Sequence, residues 1–372
     1  MTTTATPSAG DLRLVMADKL VADGAVQSPE WHRAFAKVPR ELFVPEFSVR
    51  TREGLRTYRE GDPDWLTTVY RDVSLLTQFD ASGTATSSST QPSLMARMLE
   101  ALDVSPGKTV CEVGAGTFYQ LALLCLICGT ENVTAIDVDG DLIEAGIPRL
   151  QRAGYSPTVL VGDGTQGCPD RAPFDALLAA CGVGRIPRPW REQVRPGGRI
   201  VANLGCGIVR LTVEEDLSAR GSFLPDLATF MNARATAEAI STRAGWYTST
   251  LVHAEGKTRT VPLTVDPASD GPRFLGSLVQ PNVVELSLDL DGRHTHGIID
   301  PTDGSWARLT PADSGTAHLD HGGPRDLWAE RAPLLSHWSL GGQPSPDAYD
   351  LTVHPDGRHE LTTGDTHWNL PE

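Results

Sequence analysis

Hydrophobic positions in the first fifty residues recur every three to four places. DLRLVMADKLVADG reads as a helix with Asp11 as a candidate cap and Gly24 as its stop. In the next stretch, SPEWHRAFAKVPRELFVPEF, Ser28 is placed to cap and Pro29 suits the first helical position. Trp31, Phe35 and Val38 share a face until Pro39 ends the helix. A polar stretch, roughly 51 to 80, reads as loop. From about 88 to 205, short apolar runs alternate with longer periodic ones. QPSLMARMLEALDV, FYQLALLCLICG and GDLIEAGIPRLQRAGY read as helices, the last despite its internal Gly and Pro. KTVCEVG, NVTAIDV, PTVLVGDG, FDALLAACG and GGRIVANLG read as strands. Such alternation predicts a parallel sheet covered by helices on both faces. GIVRLTVEED and GSFLPDLATFMNAR add a closing antiparallel pair.

After about 235 the period drops to two. TRTVPLTVD, VVELSLDLDGRHTHGIID and YDLTVHPDGRHELTTG are short strands, with hairpin turns expected at Asp291-Gly292 and Asp356-Gly357. Between them, PRDLWAERAPLLSHWSLGG reads as one amphipathic helix with Leu327, Trp328, Arg331, Leu334, Leu335 and Trp338 near one face. The chain therefore divides into a helical segment and loop (1–85), an α/β core (86–234) and a mainly β, α+β extension (235–372).

Composition narrows the partners. The 372 residues carry a formal net charge of −15, and 40% of them are apolar. So acidic a chain lacks the Lys/Arg patches that nucleic acid or anionic membrane requires. The start, MTTTATPSAG, is not a signal peptide, and no apolar run reaches the about 18 residues of a membrane span. The expected location is cytoplasmic. All six cysteines fall between 111 and 206; the CLIC pair, Cys125 and Cys128, sits in apolar surroundings and reads as structural thiols. The histidine pairs His294/His296 and His318/His321 lack a third ligand and read as solvated, so no metal is expected.

The chemistry concentrates in VCEVGAGTFYQ. An apolar strand ends in Glu112 and runs into Gly114 and Gly116, but Tyr119 stands where a dinucleotide-binding turn has its third glycine. That glycine serves helix–strand packing around a pyrophosphate, so a pyrophosphate is disfavoured while a ligand with adenosine and no phosphate is not. Asp137 ends the next strand, where an acid can bond a ribose diol. Asp163 ends the third, near where an adenine edge would lie. Glycine turn and two strand-end acids together form a constellation for S-adenosylmethionine.

These residues resemble the protein-L-isoaspartate (D-aspartate) O-methyltransferases. The likeness begins at FAKVPRELFVPE and continues through SSSTQPSLMARMLEALDVSPGKTVCEVGAGTFYQ. GDGTQGCPDRAPFDALLAACGVGRIP and RPGGRIVANLG extend it, so that it covers about residues 10 to 234. The resemblance implies a Rossmann-like methyltransferase fold binding S-adenosylmethionine through Glu112, Gly114, Ala115, Gly116 and Tyr119. Asp137, Val138, Asp163, Gly164 and Gln91 would complete that site. It also implies that Thr90 takes the place of a serine whose hydroxyl contacts the acceptor carboxylate, with Ser88 and Ser89 lining the same loop. Phe118, where glycine is usual, is expected to narrow the methionine end of the pocket.

A carboxylate acceptor is already ionised at neutral pH, so positioning and desolvation suffice and no general base is needed. A capping role for Thr90 at the following helix is compatible with this. The region after 234 resembles the extension of long actinobacterial forms that act on ribosomally made lanthipeptides, lasso peptides and ester- or amide-crosslinked peptides. There the acceptor is an L-aspartate of a macrocyclised peptide, and its ester gives an aspartimide or isoaspartate. The extension would then recognise the substrate. Two other readings are a general isoaspartate-repair methyltransferase and a non-catalytic peptide-binding protein that keeps the cofactor fold.

Overall fold

The computed structural model describes residues 7–236, 244–263, 265–290, 292–312 and 315–371. Two helices open the chain, α1 (Ala9–Ala22) and α2 (Pro29–Lys37). The cap of α1 is Ser8, not Asp11: the Ser8 hydroxyl accepts from the Asp11 backbone, and the Asp11 carboxylate reaches back to the Ser8 N–H. Ser28 caps α2 as its position before Pro29 predicts.

The polar stretch after α2 is not loop. It forms β1 (Glu46–Thr51), β2 (Gly54–Arg59), the short α3 (Trp65–Val69), β3 (Leu75–Phe79) and β4 (Ala85–Ser89), which build a four-stranded sheet in the order β2-β1-β3-β4. Five of the six residues of β2 are exposed, so the strand carries no hydrophobic signature.

The α/β core follows as α4 (Pro92–Leu102), β5 (Val110–Val113), α5 (Tyr119–Cys128), β6 (Val133–Asp137), α6 (Gly140–Arg152), β7 (Thr158–Val161), β8 (Phe174–Val183), α7 (Arg188–Gln193) and β9 (Val194–Leu204). β10 (Gly207–Val213) and β11 (Ala219–Leu227) then turn back antiparallel. β5 pairs in parallel with β6 on one side and β8 on the other. Strand order reverses there, at the place where open α/β sheets hold ligands.

The C-terminal region contributes α8 (Ala244–His253), β12 (Lys257–Pro262), α9 (Asp270–Val279), β13 (Val284–Leu290), β14 (Arg293–Ile299), β15 (Trp306–Pro311), β16 (Thr316–Gly322) and α10 (Leu327–Leu340). β12 to β16 make a five-stranded antiparallel sheet, and the six apolar-face residues anticipated for α10 are those it buries. Of the two expected hairpin turns, Asp356-Gly357 forms, with Gly357 at φ +94°; Asp291 lies outside the described residues. The chain then returns to the core. β17 (Asp350–Val353) pairs with β11, and β18 (His359–Thr363) and β19 (Thr366–Asn369) extend the central sheet to ten strands in the order β19-β18-β17-β11-β10-β9-β8-β5-β6-β7. One apolar core accordingly runs from β8 and β9 through α9 and α10 to β17 and β18.

Two histidines are buried, of which His296 departs from the solvated reading of its pair. His296 lies within the five-stranded sheet, 4% exposed, with neither ring nitrogen hydrogen-bonded. His359 accepts from the Ile186 N–H at 3.0 Å and donates to the Gly357 carbonyl at 2.9 Å, joining β18 to the loop after β8. Burial depresses both to about 4. Their folded values lie below the ordinary 6.5 of the unfolded chain, which therefore binds more protons as acid is added. This part of the stability is present above pH 6.5 and is lost as pH falls toward 4. The denaturation midpoint followed from pH 7 to 4.5 should drop steadily, and less steeply in His359→Gln; an equal slope in the variant would remove His359 from this role.

Candidate active site

β5 is buried along its whole length, so the chain leaves the sheet edge through a turn that must bend sharply beside its neighbours. Gly114 (φ +83°) and Gly116 (φ +52°) take conformations that side chains resist. The Gly114 N–H donates to the Ile136 carbonyl at 2.8 Å, and the Gly116 N–H to Asp137 Oδ2 at 2.9 Å. Asp137 Oδ1 accepts from the Asp139 N–H at 3.0 Å. One carboxylate thus ties the ends of two adjacent strands together and still faces the cavity between them.

That cavity is walled on one side by Thr86, Ser87, Ser88 and Thr90. Glu112, Val113, Gly114, Ala115, Gly116 and Thr117 form its floor, and Ile136, Asp137, Val138 and Gly164 its far end. Of the anticipated residues, Ser88, Thr90, Glu112, Gly114, Ala115, Gly116, Asp137, Val138 and Gly164 come together here. Thr90 does not cap α4. The N-cap is Gln91 without a side-chain bond, and Asp72 takes the Ser93 N–H at 2.8 Å instead.

Five of the anticipated residues are not part of this lining. Ser89 is buried behind the wall, where its Oγ accepts from Arg40 at 3.3 Å. Gln91 points to Asp72 and Ser93, at 3.1 and 2.8 Å. Asp163 is engaged with the Thr165 N–H and hydroxyl, at 2.9 and 2.7 Å. It shapes the turn that presents Gly164, while the Gly164 carbonyl is fixed by Trp190 Nε1 at 2.9 Å. Tyr119 is fully buried among Phe35, Phe43 and Arg40 and does not reach the cavity. Phe118 does not narrow the pocket. Its ring fills a notch at Gly146 of α6, where a Cβ would come within 2.3 Å of it. The chain starts α5 in a left-handed conformation (φ +71°) to put the ring there.

The fourth wall was absent from the sequence reading. Phe230, Met231, Asn232, Ala233 and Arg234 close the cavity after β11. Backbone bonds to Gly182 pin Met231 and Ala233, and the fully buried Asn203 side chain holds the Ala228 carbonyl and the Phe230 N–H. Only tertiary pairing brings this segment to the site, so no local pattern announced it. Cys181 also faces the cavity, its thiol pushed up to about 12 by burial and by the acids nearby.

The electrostatics of the floor select a class of ligand. Glu112 is fully buried, and neither carboxylate oxygen has a hydrogen-bond partner. Burial, with Asp137 close by, pushes its carboxyl well above the usual range. Asp137 is likewise raised, mainly by burial. Two desolvated acids beside side-chain-free glycines call for a positively charged ligand. S-adenosylmethionine, with its sulfonium and ammonium groups, fits this donor set. A sheet with its order reversed at β5, a glycine turn and a strand-end acid make this a Rossmann-like methyltransferase fold.

The comparisons agree. The family model of protein-L-isoaspartate(D-aspartate) O-methyltransferases matches residues 59–215. The protein-L-isoaspartate O-methyltransferase of Aeropyrum pernix is 34% identical over 198 residues, 52% of this chain and 67% of its own length. That of Roseiflexus sp. is 36% identical over 194 residues, 52% of this chain and 77% of its own. A solved structure of that same name superposes with a TM-score of 0.56 at 21% identity, covering 95% of this chain and 99% of that one. The chain belongs to the protein-L-isoaspartate O-methyltransferase family, S-adenosylmethionine-dependent carboxyl methyltransferases. Among the described residues no helix is long and apolar enough to cross a membrane, and no cluster of His, Cys, Asp and Glu could hold a metal ion.

Glu112→Gln separates binding from stability. The folded carboxyl titrates above its ordinary value of 4.5, so its contribution to stability is present below 4.5 and lost as pH rises through the folded value. The variant without cofactor should therefore be more stable than wild type at pH 7, the gap closing toward pH 4. Its affinity for S-adenosylhomocysteine should fall about tenfold or more, the loss of a charge-assisted bond. Calorimetry and thermal melts read both. Unchanged affinity would mean that Glu112 does not meet the ligand.

Proposed function

We propose that this enzyme methylates the free carboxylate of isoaspartyl residues in peptides and proteins. The observation that carries the reading is the division of one cavity into two chemistries. The acids Glu112 and Asp137 line its floor and far end, and Ser88 and Thr90 line the wall beside that floor, with Arg234 on the closing segment. Among the described residues no hydrogen-bond partner holds the Thr90 hydroxyl, which leaves it available to an acceptor. No histidine, lysine or tyrosine lies on the described wall. A carboxylate needs none of these as a base, because it is ionised near pH 7.

Bound S-adenosylmethionine would supply an electrophilic methyl group. The protein's own tasks are then to orient the carboxylate and to keep water from both partners. Thr90 and Ser88 donate to the acceptor oxygens, Arg234 lies near enough to Asp137 to favour its charge, and Met231 and Phe230 exclude solvent. The relatives that cover about half of this chain bear the name of this activity.

A narrower reading makes the enzyme a long actinobacterial form that matures a ribosomally made, macrocyclised peptide, converting an ordinary L-aspartate to aspartimide or isoaspartate. Its support is the region after 234. A solved structure with the general family name matches 95% of this chain, that region included, so the general acceptor stands first. The same match favours reading residues 244–371 as part of the enzyme's working body, with β17 to β19 locked into the central sheet.

Initial rates on a panel of short isoaspartyl peptides, alongside a cyclic L-aspartyl peptide and its linear counterpart, distinguish the two. The account expects turnover on many isoaspartyl sequences and little on L-aspartate. A strong preference for the cyclic L-aspartyl peptide would shift the assignment to peptide maturation. Thr90→Val keeps the size and removes the hydroxyl. It should lower methylation about tenfold or more while leaving S-adenosylhomocysteine affinity unchanged; a wild-type rate would exclude Thr90 from acceptor binding.

A further inference from the structure

Arg40 sits at the start of the ELF turn after α2 and is completely buried. Its guanidinium donates to the Val69 and Arg71 carbonyls at 2.8 and 3.3 Å. On its other side it donates to Ser89 Oγ at 3.3 Å and the Thr90 carbonyl at 3.1 Å. Its Cζ lies 5.7 Å from the centre of the Tyr119 ring. Among the described residues no carboxylate comes within ion-pairing distance of it, although Asp72 is near enough to favour its charge. Burial lowers the guanidinium to about 10, which still leaves it charged at neutral pH.

A buried cation without a counter-ion is costly, and a neutral side chain of similar volume is often more stable in such a place. Structural duty alone does not account for it. The placement does: the groups it holds are the back of the strand end whose front lines the cavity. Thr90 presents its carbonyl to Arg40 and lies on the cavity wall; Ser88 and Ser87, one and two residues before Ser89, lie on the same wall. The Tyr119 ring faces the guanidinium and is not part of the cavity lining, and Phe35 and Phe43 pack around that ring.

We propose that Arg40 is a positioning residue for the acceptor carboxylate: it clamps Ser89 and Thr90 from behind, and its charge, unpaired in the protein, favours a negative group in front of them. The carboxylate of the bound substrate then completes an electrostatic pair across the strand end. This rests on the acceptor reading given under the proposed function. Tyr119 belongs to the same device, as the aromatic face that accommodates the cation when no carboxylate can.

The test uses the full-length enzyme, with turnover of an isoaspartyl peptide expressed per S-adenosylhomocysteine-binding site counted by calorimetry. A residue that only supports the fold would reduce the number of sites and leave the rate per site unchanged. Arg40→Met should raise the peptide KM and lower kcat/KM about tenfold or more per site, with S-adenosylhomocysteine affinity within about twofold of wild type. Arg40→Lys, which keeps the charge and loses the fork, should recover part of that loss. Combined with Thr90→Val, the losses should fall short of multiplying, because the two residues act through one another. Should Arg40→Met fail to fold, Ser89→Ala removes one of the clamp's acceptors and leaves the cation in place; it should raise the peptide KM a few-fold without altering cofactor affinity. Wild-type kinetics per site in Ser89→Ala and either Arg40 variant would overturn the proposal while leaving the acceptor reading intact. A wild-type enzyme that does not methylate isoaspartyl peptides would overturn the acceptor reading and the proposal with it.

Discussion

The bond from the Gly116 N–H to Asp137 is the constraint on which the rest of the site depends. β5 ends between two parallel neighbours, and its chain must leave without placing a side chain into the crevice above. Asp137, at the end of β6, fixes where that turn goes. Once the turn is fixed, Glu112 lies beneath the crevice with unpaired oxygens, and Gly116 packs under Ser87 and Ser88 with room for a methyl group and no more. The cation-seeking floor and the hydroxyl wall are therefore two faces of one short turn.

Burial gives these acids their chemical character and also makes them expensive. A carboxyl held without partners destabilises the folded chain at neutral pH and is retained for the ligand it meets. Arg40 is the mirror case on the acceptor side, a cation held without a counter-ion behind the strand that the acceptor approaches. The cavity thus lies between two buried acids whose charge a cationic ligand would favour and a buried cation, each stabilised when its partner binds. Such opposed fields orient a cationic donor and an anionic acceptor toward one another, which is most of what methyl transfer to a carboxylate asks of a protein.

Legibility in the sequence followed burial. VCEV, NVTAID and FDALLAACGV are buried on both faces, so their continuous apolar runs marked the parallel sheet. The six residues facing the core from α10 were readable because a helix repeats its face every three to four positions. β2 and the neighbouring strands were not readable, since a mostly exposed strand has no apolar alternation to detect. α9 was hidden by its own Gly271, Pro272 and Gly276; Gly276 is required because the Arg331 guanidinium packs 2.6 Å from where a Cβ would be. At the site, Gly114, Gly116 and Asp137 were readable from their positions at strand ends, and Thr90 from the family resemblance; all four line the cavity. Ser89 and Tyr119 lie off the cavity because sequence adjacency gives spacing but not direction: the Ser89 side chain turns back to Arg40, and the first residue of α5 turns inward. Phe230 to Arg234 had no local signal because Gly182 and Asn203, tens of residues earlier, hold them in place.

A crystal structure of the enzyme with S-adenosylhomocysteine and an isoaspartyl peptide tests this account most directly. It should show the ligand's amino group or ribose in contact with Glu112 and Asp137. The isoaspartyl carboxylate should lie within hydrogen-bond reach of the Thr90 hydroxyl, on the side away from Arg40. A carboxylate bound away from the wall that carries Ser88 and Thr90, or a cofactor product that leaves Glu112 unpaired, would contradict it.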